Sequence, residues 1–255
     1  MSAGEFLLSV ENLSVSFKNN KKNIIQRVVN DVCFQIKKGE TLGLVGESGC
    51  GKTTLGRTII RLQKEDCGKI ILKNIDLCKL KHSKLRMVRR QMQMIFQNPY
   101  SSLNPRMTAL DIIAEPVHGR VSSKQKIELV TKLMNQTGLD PDMMNKFPHE
   151  FSGGQRQRIA IARAVAAEPS LIIADEPVSS LDVSVQAQIL NVLKELCDLL
   201  SMTMLFISHD LSVVKYISQR AAVMYQGRIV EIGPTPVLFT NPKHPYTRLL
   251  LSAVP

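Results

Sequence analysis

The chain has 255 residues, 44% of them hydrophobic, and a formal net charge of +11. That suffices for one large domain or two small ones with a sizeable core, and no tract approaches the roughly 20 apolar residues needed to cross a bilayer. The opening MSAGEFLLSVEN has neither the basic n-region nor the long apolar stretch of a secretory signal, and five scattered cysteines without a CxxC pair argue for free thiols in a reducing cytoplasm rather than a disulfide or zinc framework.

In chain order, FLLSVENLSVSF and IIQRVVNDVCFQI alternate apolar and polar residues and predict antiparallel strands. TLGLV (41–45) predicts a short buried strand, followed by a Gly-rich turn and the helical TTLGRTIIRL. The stretch from Arg57 to Arg90 carries 11 Lys/Arg against Glu65, Asp66 and Asp76. Such a segment suits an anionic surface or a solvated face. KIILKNIDL predicts a strand pair and MQMIF (92–96) a buried strand. From Thr108 to about Ala167 the pattern is helical, broken at Pro116, Gly138, Pro141 and Pro148. SLIIA (170–174) predicts a buried strand, VSVQAQILNVLKELCDLL a long amphipathic helix, TMLFIS another buried strand, and AAVMYQGRIVEIG a hairpin turning at Gln226-Gly227. Strands alternating with helices predict an α/β fold with a largely parallel sheet.

Chemistry concentrates at strand ends. GESGCGKT (46–53) follows the strand TLGLV and precedes a helix, the context that a phosphate-binding loop requires. Its glycines let amides wrap phosphate oxygens; Lys52 reaches the β and γ phosphates and the Thr53 hydroxyl suits Mg²⁺. LIIADEP (171–177) ends an apolar strand in two carboxylates. Asp175 suits the Mg²⁺ ligand. Glu176 points elsewhere and suits a general base that poises water at the γ-phosphate. Gln97 ends MQMIF and His209 ends LFIS in the same way, Gln97 for Mg²⁺ and the attacking water, His209 for the γ-phosphate. FSGGQRQR (151–158) is a second Gly-rich turn ahead of a helix, suited to an anion.

In this order and rough spacing, GESGCGKT, Gln97, FSGGQ, LIIADE, SSLD (179–182) and His209 resemble the ATP-binding cassette ATPases over nearly the whole chain. The resemblance implies a P-loop core with an N-terminal antiparallel β-subdomain and an inserted α-helical subdomain. It places one cassette domain over residues 1–255, with the core and β-subdomain at about 1–97 and 168–255 and the helical part at about 98–167. It implies ATP binding by Phe17, Gly46, Glu47, Ser48, Gly49, Cys50, Gly51, Lys52, Thr53 and Thr54, with Phe17 stacking on adenine where tyrosine is commoner. Phe151 likewise stands where leucine is usual. In this family two cassettes pack head to tail. Ser152, Gly153, Gly154 and Gln155 would therefore meet the partner's γ-phosphate, and Ser180, Leu181 and Asp182 would cross the interface.

The family's DNA-repair members insert coiled coils or zinc modules, its translation factors carry two cassettes per chain, and its exporters fuse transmembrane helices. None of these features is present here. The expectation is a transport ATPase at the cytoplasmic face of the inner membrane, bound to two permease subunits and indirectly to an external binding protein, with no nucleic-acid partner. NPYSSLNPRMT and the ending NPKHPYTRLLLSAVP resemble the peptide- and nickel-importer branch, in which two different cassettes pair. Peptide uptake is the first expectation and nickel the second; peptide-transporting members often continue further, so the stop at Pro255 reads either as a nickel-type or shortened member or as a truncated chain. The segment from Gln97 to about Gly119 is expected to receive a short cytoplasmic helix of a permease.

Overall fold

The computed structural model describes residues 6–19, 24–117 and 122–252. Gly119 and Pro255 lie outside the described residues, as do the first five of the N-terminal stretch. In chain order the elements are β1 Phe6–Asn19, β2 Ile24–Lys37, β3 Thr41–Val45, α1 Lys52–Ile59, β4 Cys67–Leu72, β5 Ile75–Asp76, α2 His82–Arg89, β6 Met92–Ile95, α3 Pro99–Ser102, α4 Ala109–Ala114, α5 Ser123–Gln136, α6 Gly153–Ala166, β7 Leu171–Asp175, α7 Val183–Leu200, β8 Thr203–Ser208, α8 Leu211–Ile217, β9 Arg220–Tyr225, β10 Arg228–Pro234, α9 Thr235–Thr240 and α10 Pro245–Ser252. They fall into two compact units, residues 1–87 with 203–255, and residues 88–202.

The first unit contains an antiparallel sheet in the order β2-β1-β4-β5. Its inward residues Leu8, Val10, Val32, Ile36, Ile70 and Leu72 are buried, and hydrophobic burial of such side chains contributes about 1.5–3 kcal/mol each. Register shifts near Leu13 coincide with Asn12 at φ 47° and Asp31 at φ 54°, both polar residues tolerant of left-handed backbone. The same unit holds β3 between β8 and β9, parallel to both, with β10 antiparallel on β9. β3 and β8 are buried at every position, as expected of strands covered on both faces.

In the second unit β6 and β7 pair in parallel, Met92 opposite Leu171 through Ile95 opposite Ala174. Helix α6 is its hub and touches α3, α4, α5, α7 and β6. Ala160, Ala162, Ala164 and Ala166 of α6 are buried and small enough for close approach on several sides. Helix α7 buries Ile189, Leu193, Leu196 and Cys197 along one stripe and ends at Ser201, φ 49°, a left-handed cap.

The α/β class and the antiparallel N-terminal strands agree with the sequence reading. Several boundaries differ by a few residues, two of them beside the candidate site. The strand read as 92–96 stops at Ile95, because Asn98 caps the next helix by accepting from the Tyr100 amide. The helix after FSGGQ starts at Gly153, so both glycines lie inside its first turn. Among the described residues, no helix is long and apolar enough to cross a membrane.

Candidate nucleotide site

In the first unit the loop 46–51 joins β3 to α1. Gly51 sits at φ 110° as the N-cap, a conformation that favours glycine. No acidic residue occupies the first turn of α1, so the positive end of the helix is not offset. Lys52 is buried, and its Nζ donates to the carbonyls of Gly46 (2.7 Å) and Glu47 (2.8 Å). The lysine therefore closes the loop into a ring with its ammonium at the centre. Glu47, Ser48 and Gly49 are exposed on the outer limb, and Thr53 and Thr54 are half-buried on the first turn. Burial pushes the Cys50 thiol up while Lys52 opposes the shift, so this group stays neutral within the loop.

A cavity of 410 Å³ opens between this limb, Gln26–Val28 of β2 and the β9–β10 turn at Tyr225–Gly227. Phe17 lies opposite Gln26 in the β1–β2 register, with its ring 42% exposed. It stands beside the cavity wall rather than in it. The loop is tied to the turn by the Gly227 amide, which donates to the Cys50 carbonyl at 3.0 Å. His209 follows β8, and Ser208 faces Val45 in the parallel register. The histidine and the phosphate loop thus leave the same edge of this sheet. His209 is exposed, and Asp210 behind it caps α8 through the Ser212 amide at 2.7 Å.

In the second unit, parallel pairing of β6 and β7 brings their ends to one edge. Asp175, the last residue of β7, is 2% exposed. Glu176 follows at φ 47°, a left-handed backbone that is unfavourable for a non-glycine residue. Its carboxylate accepts from Gln97 Nε2 at 3.0 Å. Gln97 also donates to Ser179 Oγ at 3.4 Å, whose hydroxyl donates to the Glu176 carbonyl at 3.1 Å. Gln97 and Glu176, 79 positions apart, form one hydrogen-bonded cluster.

The signature turn opens α6 with a reciprocal cap. The Gln155 amide donates to Ser152 Oγ at 3.3 Å, and the Ser152 amide donates to Gln155 Oε1 at 2.9 Å. Because Ser152 Oγ is the acceptor here, its own proton is available to another group. A side chain at Gly153 would touch Leu181, and a Cβ at Gly154 would lie 2.6 Å from Val185 Cγ1. Arg158 donates to Gln188 Oε1 at 2.9 Å. The signature is thereby seated on the SSLD loop and α7 of its own chain. Ser180 is exposed; Asp182 caps α7 through the Val185 amide at 3.0 Å. Donation from the Ser184 hydroxyl, then from that amide, holds the Asp182 carboxyl below its usual range.

Sequence reasoning missed Gln26–Val28 and Tyr225 as parts of these surroundings, and it singled out Ser179 only within SSLD, not as a partner of Gln97. Gln226-Gly227 was legible as a turn, but nothing local marks a turn that packs on residues about 175 positions earlier.

Residues 29–179 match the family model of the ABC transporters, and residues 230–255 that of the oligopeptide/dipeptide transporter C-terminal region. The oligopeptide transport ATP-binding protein OppF of Bacillus subtilis is 52% identical over 255 residues, covering 98% of this chain and 83% of that protein. The oligopeptide transport ATP-binding protein AppF of the same organism is 54% identical over 232 residues, covering 90% and 70%. Among solved structures, a dimeric ATP-binding cassette in a post-hydrolysis state, bound to ADP and Pi, matches with a TM-score of 0.82 at 28% identity, covering 89% of this chain and 98% of that one.

Proposed function

Because the chain belongs to the ABC transporter family and is an ATP-binding ATPase of that family, we propose that it energises a binding-protein-dependent importer of dipeptides or oligopeptides. The observation that carries the cargo is the match of residues 230–255 to the C-terminal region of oligopeptide/dipeptide transporters. The relatives named for oligopeptide transport support it.

In this reading Lys52 and the amides of 46–54 take the triphosphate, and Phe17 stacks on adenine. Glu176 accepts the proton of the attacking water, steered by Gln97, and His209 contacts the γ-phosphate. Mg²⁺, when bound, offsets the charge on the phosphate oxygens. Thr53, Gln97 and Asp175 offer hydroxyl, amide and carboxylate oxygens, the hard donors this ion takes. The Gln97 nitrogen is committed to Glu176, so its oxygen is the atom for a cation. Ser152, Gly153, Gly154 and Gln155 serve the partner's nucleotide, and Ser180–Asp182 line the interface with it. Residues 98–167 act as the helical subdomain of a single cassette. The partner is a second, different cassette, and the pair docks on two permeases at the inner face of the membrane. The dimeric ADP-bound relative supports pairing.

The test is reconstitution with the two permeases, the second cassette and the binding protein in proteoliposomes. ATP-dependent uptake of labelled di- or oligopeptide is expected. Uptake of Ni²⁺ with no peptide uptake overturns the cargo.

A further inference from the structure

The C-terminal segment matched to peptide transporters contains His244-Pro245-Tyr246, the last two of which open α10. Tyr246 is 8% exposed. Its ring packs on Tyr225, a wall residue of the cavity, with centroids 4.1 Å apart. Its hydroxyl accepts from the backbone amide of Glu47, the second residue of the phosphate loop, at 3.4 Å. The segment that delivers this ring is itself fastened. The Glu231 carboxylate of β10 accepts from the amides of Lys243 (2.9 Å) and His244 (3.0 Å). The Tyr246 amide donates to His244 Nδ1 at 3.2 Å, and Arg248 Nε donates to the Pro242 carbonyl at 3.0 Å.

The outer limb of the phosphate loop is therefore gripped at two points from the C-terminal part of the chain. Gly227 holds the Cys50 carbonyl, and Tyr246 holds the Glu47 amide. Between them lie Ser48 and Gly49, exposed and with no packing on the far side of Gly49. Fixing the two ends of a short loop orients the amides between them, and orientation in advance lowers the entropy lost on binding. Burial raises the Tyr246 phenol, and the neighbouring Glu47 carboxylate adds to the shift, so the hydroxyl remains protonated in neutral solution.

We propose that Tyr246, seated by Glu231 and His244, is a positioning residue for the phosphate loop, and that the C-terminal segment thereby sets the nucleotide affinity of this chain. The proposal rests on the reading of residues 46–53 as the triphosphate site. Tyr246 does not line the cavity beside the loop and reaches the loop through the Glu47 amide.

The experiment compares the full chain with Tyr246→Phe, which keeps the ring contact with Tyr225 and loses the hydroxyl. MgATP binding is titrated by calorimetry, ATPase kinetics are measured, and hydrogen exchange is followed at the Glu47 amide. One hydrogen bond of this kind corresponds to about a two- to tenfold effect. The KM and Kd for ATP are expected to rise by about that factor, kcat to stay within about twofold, the melting temperature to hold, and exchange at Glu47 to accelerate. Glu231→Gln, which weakens the seat of the same tyrosine, is expected to shift the same quantities in the same direction. Wild-type ATP affinity and Glu47 protection in Tyr246→Phe overturn the proposal. Lys52→Ala separates the two readings: if it leaves ATP binding unchanged, the triphosphate site itself is wrong; if it abolishes binding while Tyr246→Phe does nothing, only the role of Tyr246 fails.

Discussion

Glu176 owes its position to one unusual backbone angle. At φ 47° the chain leaves β7 so that Asp175 stays buried while the next carboxylate accepts from Gln97. If Glu176 is the general base, Glu176→Gln lowers turnover by about 10²–10⁴-fold, while ATP affinity changes little because Lys52 and the metal donors remain. The check is steady-state ATPase of the purified complex beside equilibrium nucleotide binding; near-normal hydrolysis refutes the assignment. A second residue gives a pH prediction. Burial pushes the Cys197 thiol up to about 12, since desolvation disfavours the thiolate. At pH 7–9 maleimide is expected to modify the exposed Cys33 and Cys67 and to spare Cys197. Labelling at Cys197 appears only in denaturant or well above pH 9, as mass spectrometry of the labelled peptides will report.

At the scale of elements, the segment after Gln97 is bound to α6 by arginines. Arg163 donates to the Ser102 carbonyl at 2.7 Å, and the Arg156 guanidinium lies 4.9 Å from the Tyr100 ring centroid. Residues 100 and 102 are thereby fastened to α6. Arg106 itself is exposed and suits contact with a permease. Arg106→Glu is expected to reduce transport by about tenfold or more through like-charge or lost-pair effects, with ATPase of the isolated chain within about twofold of wild type. Crosslinks from the permease that fall only on α10 refute the docking site. What could be read in advance follows the strength of local signals. TLGLV, LIIAD and TMLFIS were legible because strands buried on both faces are continuous apolar runs. The 14 residues of α6 were legible only from Ile159 onward, because glycines at 153 and 154 hide a helical turn. Short helices such as α2, α8 and α10 carry too few periodic positions to stand out. The seating of Tyr246 on Glu47 spans 199 positions, and no local pattern encodes it.

At the scale of the whole molecule, the proposed head-to-tail pairing would make the two Gly-rich turns halves of different sites, so a change at one should be felt at the nucleotide of the other chain. Ser152→Arg is the cleaner variant, because any side chain at Gly154 already collides with Val185 of its own chain. It removes a helix cap worth about 0.5–2 kcal/mol, leaves ATP binding at this chain's Lys52 within about twofold, and lowers hydrolysis at the shared site by about 10²-fold or more. The measurement is a mixed complex in which only one composite site can turn over; loss of ATP binding to the altered chain alone shows that the turn works in cis. The fit of Gly154 against Val185, with Arg158 on Gln188, has a kinetic consequence. The signature turn and the SSLD loop pack on one piece, so in the proposed dimer neither would let go of the opposite chain before the other. Opening of that dimer is then expected to be a single concerted event: fluorophores placed at residue 152 and at residue 180 should report one shared time constant. Gly154→Ala, by prising the two helices apart, should split it into two.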